Sequence, residues 1–142
     1  MTTMNIPQTL HEYFNIKLGK KLNLKDYKEG STIIHKNGTK TYNKEITSNL
    51  PDEECILITA MSIDILYIEK ENTKKHYASA GCFILTIKPE YKSSVILKYL
   101  FYCFKAFGID KALMDRRTGA LQQSINTGRL VDTLKSVIMN PV

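Results

Sequence analysis

Ala78-Ser79-Ala80-Gly81-Cys82-Phe83-Ile84-Leu85-Thr86-Ile87, followed by the turn Lys88-Pro89-Glu90, decides the reading of the fold. It reads as one apolar strand, with Gly81 marking a bulge or a close approach. Upstream, Cys55 to Ala60 reads as a buried strand, and Ser62 to Glu69 as a second. In the second, Ile63, Ile65 and Tyr67 share one parity and Leu66 and Ile68 the other, which predicts burial on two faces. Glu69 to His76 reads as a charged loop. Downstream, Ser93 or Ser94 can cap a helix running to about Ala106, with Val95, Tyr99, Tyr102, Cys103 and Ala106 on its core face. Gly108 stops it. Ile109 to Met114 continues as a short helix, Thr127 can cap another over Gly128 to Leu134, and Ser136 to Met139 reads as a closing strand.

Toward the N-terminus, Thr9 to Phe14 suits a short helix. Thr32 to His35 and Lys40 to Tyr42 suit two strands joined by Lys36-Asn37-Gly38-Thr39, a strong type I′ hairpin signal. No repeat or linker interrupts the chain. The expectation is an α+β fold, a single compact domain over residues 1–142, with a mixed, mostly antiparallel β core flanked by short helices.

The chain has 142 residues, 43% hydrophobic and 24% charged, enough to bury a core without disulfide or metal staples. Its formal net charge of +6 favours polyanionic partners, nucleic acid first. Lysine carries most of that charge. Arginine stands only at Arg116, Arg117 and Arg129. Lys17, Lys20, Lys21, Lys25 and Lys28 recur on one polar stretch, which reads as a solvated strip or as a strip facing phosphates. Cys55, Cys82 and Cys103 are widely spaced in apolar contexts. They read as buried free thiols in a reducing compartment, cytoplasmic or otherwise intracellular. No secretory segment opens the chain and no apolar run reaches membrane-spanning length.

A search for chemistry finds no phosphate-binding loop and no dinucleotide fingerprint. His11, His35 and His76 are not paired with cysteines at zinc spacing. Cys82 lies in an apolar strand, where a structural thiol is expected. Pro51-Asp52 could begin a metal-dependent nuclease core, but Ile68-Glu69-Lys70-Glu71 fails the required spacing. The expectation is a protein that is not an enzyme, with no catalytic residue, no metal and no cofactor.

Three stretches carry a family likeness. They are Ala80 to Pro89 as a strand ending in a Pro turn, Leu97-Lys98-Tyr99-Leu100-Phe101-Tyr102-Cys103-Phe104 as a tyrosine-rich helix, and Thr118-Gly119-Ala120-Leu121-Gln122-Gln123-Ser124-Ile125-Asn126 as a Gly-containing loop. With Leu130 to Pro141 as a helix and closing strand, residues 78–141 resemble the target recognition domain of the specificity (S) subunits of type I restriction–modification systems. Residues 8–60 match more weakly, through Phe14 to Lys20 and Ile56 to Thr59. The resemblance implies a non-catalytic module that reads double-stranded DNA and serves a methyltransferase subunit. The family's long helix would begin where this sequence reaches Val142, which leaves a fragment, a freestanding DNA binder or a repurposed fold as expectations, with self-association as another route to a bipartite site.

Base-reading residues have no fixed motif in that family, so the candidates rest on side-chain chemistry. Asn37, Gln122, Gln123 and Asn126 could read adenine edges, while Arg116, Arg117 and Arg129 could read guanine or hold phosphates. Lys36, Lys40 and Lys44 would flank the hairpin tip. The rival expectation is a structural or interaction subunit of a larger assembly, such as that of a large DNA virus. There the same fold would expose an apolar patch, with Phe101 and Phe104 the first suspects.

Overall fold

The computed structural model describes residues 7–36, 41–60, 63–115 and 125–139. Cys55–Thr59 (β4) is buried along its whole length. Its neighbour Cys82–Ile87 (β7) is buried at every position but Thr86. With Phe14–Leu18 (β1) and Asp64–Ile68 (β5) they form a four-stranded antiparallel sheet in the order β1-β7-β4-β5. Alternate residues of the two central strands point to opposite faces. Ile56, Ile58, Phe83 and Leu85 face the main core, together with Leu10, Phe14, Leu97, Leu100, Phe104 and Leu130. Cys55, Leu57, Cys82 and Ile84 face a smaller apolar cluster on the other side, shared with Ala78. Each fully buried Leu, Ile or Phe contributes roughly 1.5–3 kcal/mol.

The helices cover the first of those faces. They are Leu97–Ala106 (α1), Ile109–Met114 (α2) and Thr127–Lys135 (α3). The second face meets a three-stranded sheet of Glu29–His35 (β2), Thr41–Lys44 (β3) and His76–Ala78 (β6), in the order β3-β2-β6. β2 pairs antiparallel with β3 and parallel with β6. The α+β class with a mixed, mostly antiparallel β core and short helices is therefore the observed one.

Several local expectations are corrected. The stretch Ala78 to Ile87 is not one strand. It breaks at Gly81, whose φ of 86° turns the chain from β6 in one sheet to β7 in the other. The charged stretch before it holds a 3-10 turn, Lys70–Lys75, and the start of β6. β5 is an edge strand, so Leu66 and Tyr67 are only half-buried. α1 begins at Leu97 without a side-chain cap, because the Ser94 hydroxyl donates instead to the Tyr91 carbonyl at 3.1 Å. Its core face is Leu97, Leu100, Cys103 and Phe104, while Tyr99 and Tyr102 face solvent. Apolar residues nearly surround this helix, so the sequence does not fix which stripe turns inward. Phe104 is accordingly core, and Phe101 packs at the core's edge. The closing strand is a single bridge between Thr9 and Ile138.

Candidate nucleic-acid interface

The polar turn between β6 and β7 is a junction for four segments. Asn49 holds Ala78 from both sides: its amide nitrogen donates to the Ala78 carbonyl and its oxygen accepts from the Ala78 N–H, each at 2.8 Å. The Lys20 N–H also donates to the Ala78 carbonyl at 3.0 Å, and the Gly19 N–H to the Cys82 carbonyl at 2.9 Å. Gly19 is required there, since a Cβ would lie 2.1 Å from the Ser79 carbonyl oxygen. The Ser79 N–H donates to the His35 carbonyl at 2.9 Å, which fixes the end of β2. The Ala60 N–H donates to the Gly81 carbonyl at 2.8 Å, and the Ile125 N–H in turn to the Ala60 carbonyl at 3.2 Å. One hydrogen-bonded hub thus ties together the end of β2, the start of the lysine strip and the start of α3.

Four candidate residues fall within the described residues: Lys36 and Asn126 directly follow His35 and Ile125 of the hub, Arg129 lies in the first turn of α3, and Lys44 stands apart. Lys36 is exposed directly after His35. Asn126 caps α3, its side-chain oxygen accepting the Arg129 N–H at 2.9 Å. Arg129 is half-buried, and its Nε is buried with no hydrogen-bond partner among the described residues. Lys44 lies at the far end of the sheet, where its ammonium is 2.8 Å from Glu29. Asn37, Lys40, Arg116, Arg117, Gln122 and Gln123 lie outside the described residues.

The lysine strip is fixed at both ends. It starts at Lys20 beside Ala78 and ends at Lys28, whose carbonyl accepts the Glu45 N–H at 2.8 Å. Because His35 and Ala78 pair at one end of the sheet and Glu29 and Lys44 at the other, the strip spans the sheet's length. Lys17, Lys20, Lys21, Lys25 and Lys28 are all exposed. Lys70, Lys74 and Lys75 are also exposed on the turn against β2 and β6, an extension that the charged-loop reading missed. The acidic side chains Asp52, Glu53, Glu54, Glu69 and Glu71 gather beside Tyr67, whose hydroxyl donates to Glu54, and Lys70, Lys92 and Lys98 line the same pocket. The strip carries more lysines than the exposed Asp26, Glu29 and Glu45 within or beside it, and such an excess raises the local concentration of a polyanion.

His35 Nε2 and His76 Nδ1 share a hydrogen bond of 2.8 Å between β2 and β6. Burial and the neighbouring His76 push His35 down to about 4. Burial, aided by Lys75, also lowers His76. The pair is neutral at pH 7 and serves as a cross-strand link.

The cysteines are buried free thiols. Burial pushes Cys55 up to about 12 and Cys82 up to about 11. The Cys82 thiol donates to the His35 carbonyl at 3.2 Å. Neither offers a thiolate nucleophile at neutral pH. Among the described residues, no three His, Cys, Asp or Glu side chains converge to hold a metal ion, and no helix is long and apolar enough to cross a membrane.

No protein-family model matches the chain, and no curated protein matches it by sequence. Its fold does have a match among solved structures, the S subunit of a type I restriction–modification system from M. genitalium, with a TM-score of 0.70. This chain shares the fold of a type I S subunit. The likeness covers 92% of this chain at 17% identity, and the chain spans 33% of that subunit. The resemblance read from the sequence is thus shown at the level of fold.

Proposed function

We propose that this chain is a non-catalytic module that binds double-stranded DNA, in the manner expected of a target recognition domain. Residues 1–142 act as one such domain in this reading. The observation that carries it is the hub. On an S-subunit fold, it joins Lys36, the start of the strip at Lys20 and the start of α3 at Asn126. Lysines of the strip contact phosphates and position the duplex, while Asn126 and Arg129 stand where base edges or phosphates are read. Asn37, Lys40, Arg116, Arg117, Gln122 and Gln123 belong to the same proposed surface, and Lys44 acts there as an internal ion pair beside it. A methyltransferase subunit or a second copy would supply the other half of a bipartite site. The excess of exposed lysines along the strip favours this reading over a purely structural subunit.

The test is a fluorescence-anisotropy titration with random duplex DNA across a salt series. The logarithm of affinity should fall linearly with that of salt, by about 0.9 for each phosphate neutralised. The triple variant Lys20→Glu, Lys21→Glu, Lys25→Glu should bind at least tenfold more weakly and lower the slope by about 2–3. Equal binding by wild type and triple variant would remove the strip from the proposal.

A further inference from the structure

An asparagine side chain has two chemical halves, an oxygen that accepts and a nitrogen that donates two hydrogens. With both halves available it matches adenine, whose N7 acceptor and N6 donor lie side by side in the major groove. Asn126 does not have both halves available. It stands in extended backbone, φ −103° and ψ 173°, just before α3, and its side-chain oxygen accepts the Arg129 N–H at 2.9 Å. That bond caps the helix by satisfying one of the N–H groups its first turn leaves without a carbonyl.

The cap also fixes the direction of the amide. The oxygen is turned toward the first turn of α3, where a Cβ on Gly128 would lie 3.4 Å from it. The backbone holds the residue from both sides. The Asn126 carbonyl accepts the Leu130 N–H at 3.1 Å, and the preceding Ile125 N–H is bound to the Ala60 carbonyl at 3.2 Å. Asn126, Thr127 and Gly128 are all exposed. Among the described residues nothing takes up the two amide hydrogens of Asn126, and the first turn of α3 carries no carboxylate that could. The exposed side of this residue therefore offers hydrogens, and its oxygen is committed to the helix.

We infer that Asn126 meets DNA as a donor only, so that it contacts a bare acceptor, either a guanine edge or a phosphate oxygen, and not an adenine edge. This inference rests on the DNA-binding reading above and fixes the chemistry of one contact within it. An adenine contact needs both halves of the amide, and its N6 hydrogen would have to share the oxygen with the Arg129 N–H, at the expense of the cap. Guanine presents N7 and O6 as adjacent acceptors, and a phosphate presents oxygens alone. Neither asks anything of the committed oxygen.

Variants that keep the cap and remove the amide hydrogens provide the test. Ser and Asp cap helices as well as Asn does. Circular dichroism melts of Asn126→Ser and Asn126→Asp should therefore match the wild type, while Asn126→Ala should melt lower. The wild type first selects a duplex from a random pool. Anisotropy then measures binding to that duplex and to copies carrying 7-deazaguanine or 7-deazaadenine. Asn126→Ser should bind the selected duplex about fivefold more weakly, as expected for one lost hydrogen bond. Asn126→Asp should bind more weakly still, because its carboxylate would face acceptors. A serine deficit that disappears with 7-deazaguanine places the acceptor on guanine, and one that persists on all three duplexes places it on a phosphate. Either result supports the inference. Equal binding by Asn126→Ser and wild type would make Asn126 a helix cap alone, which overturns the inference and leaves the DNA reading standing. A deficit that disappears only with 7-deazaadenine would overturn it as well. Failure of the wild type to bind any duplex would remove the DNA reading, and this inference with it.

Discussion

The two sheets are held together by different physics. The four-stranded sheet buries its central strands β4 and β7 between helices on one side and the second sheet on the other, so its cohesion is mainly apolar area. The three-stranded sheet buries Ile34, Tyr77 and Ala78, and polar bonds add to that packing. Thr32 donates to the Ile46 carbonyl at 2.7 Å, Ser48 to the Thr73 carbonyl at 2.8 Å, and the two histidines bond each other. Hydrophobic burial tolerates some displacement, whereas hydrogen bonds demand position. The site candidates stand on the side that demands position, as a reading surface requires.

The largest way to break this contrast is in the apolar sheet. Phe104 is fully buried and meets Phe14 edge-on at 5.6 Å between ring centroids. Phe104→Ala should cost about 3–5 kcal/mol. Urea unfolding should show one transition shifted as a whole, with both sheets lost together.

In the polar hub, Gly19→Ala should cost about 2–3 kcal/mol, because its Cβ collides with the backbone of Ser79. Unlike Phe104→Ala, it should loosen the site before the core. Hydrogen exchange should speed up at Lys20, Ala78 and Ser79 while β4 and β7 stay protected. Uniform acceleration would mean that the two sheets are not distinct.

The histidine link gives a pH signature to the second sheet alone. The folded pKa of His35 is about 4, below its value near 6.5 in the unfolded chain. Its contribution is therefore present above pH 6.5 and lost as pH falls from there toward 4. Asp64 opposes the shift at His35, and Lys75 reinforces it at His76. Urea midpoints measured between pH 7 and 4 should fall, and His35→Gln should flatten that slope. The smallest effect belongs to Lys44→Ala, which breaks the ion pair with the exposed Glu29. It should cost less than about 1 kcal/mol.

What could be read from the sequence follows the same division. Apolar runs announce themselves, so β4, the apolar half of β7, α2 and the α+β class were legible. The inward stripe of α1 was not, because Tyr99 and Tyr102 are as apolar by pattern as Leu100 and Phe104. The break at Gly81 was masked by apolar residues on both sides. At the site, the lysine strip, Lys36, Asn126 and Arg129 could be named from side-chain chemistry. Their gathering could not, since it depends on backbone hydrogen bonds between distant segments. Asn49, which holds the hub, gave no signal at all: a polar residue in a loop looks the same whether it faces water or pins a strand.

The central claim is that the hub and the lysine strip form a DNA-binding surface and the outer face of α1 does not. Amide chemical-shift mapping of the labelled protein with a random duplex tests this most directly. The account predicts shifts concentrated at Lys17 to Lys28, Lys36 and Asn126 to Arg129, with Tyr99 to Ala106 unmoved. Shifts confined to α1, or none at low salt, would contradict it.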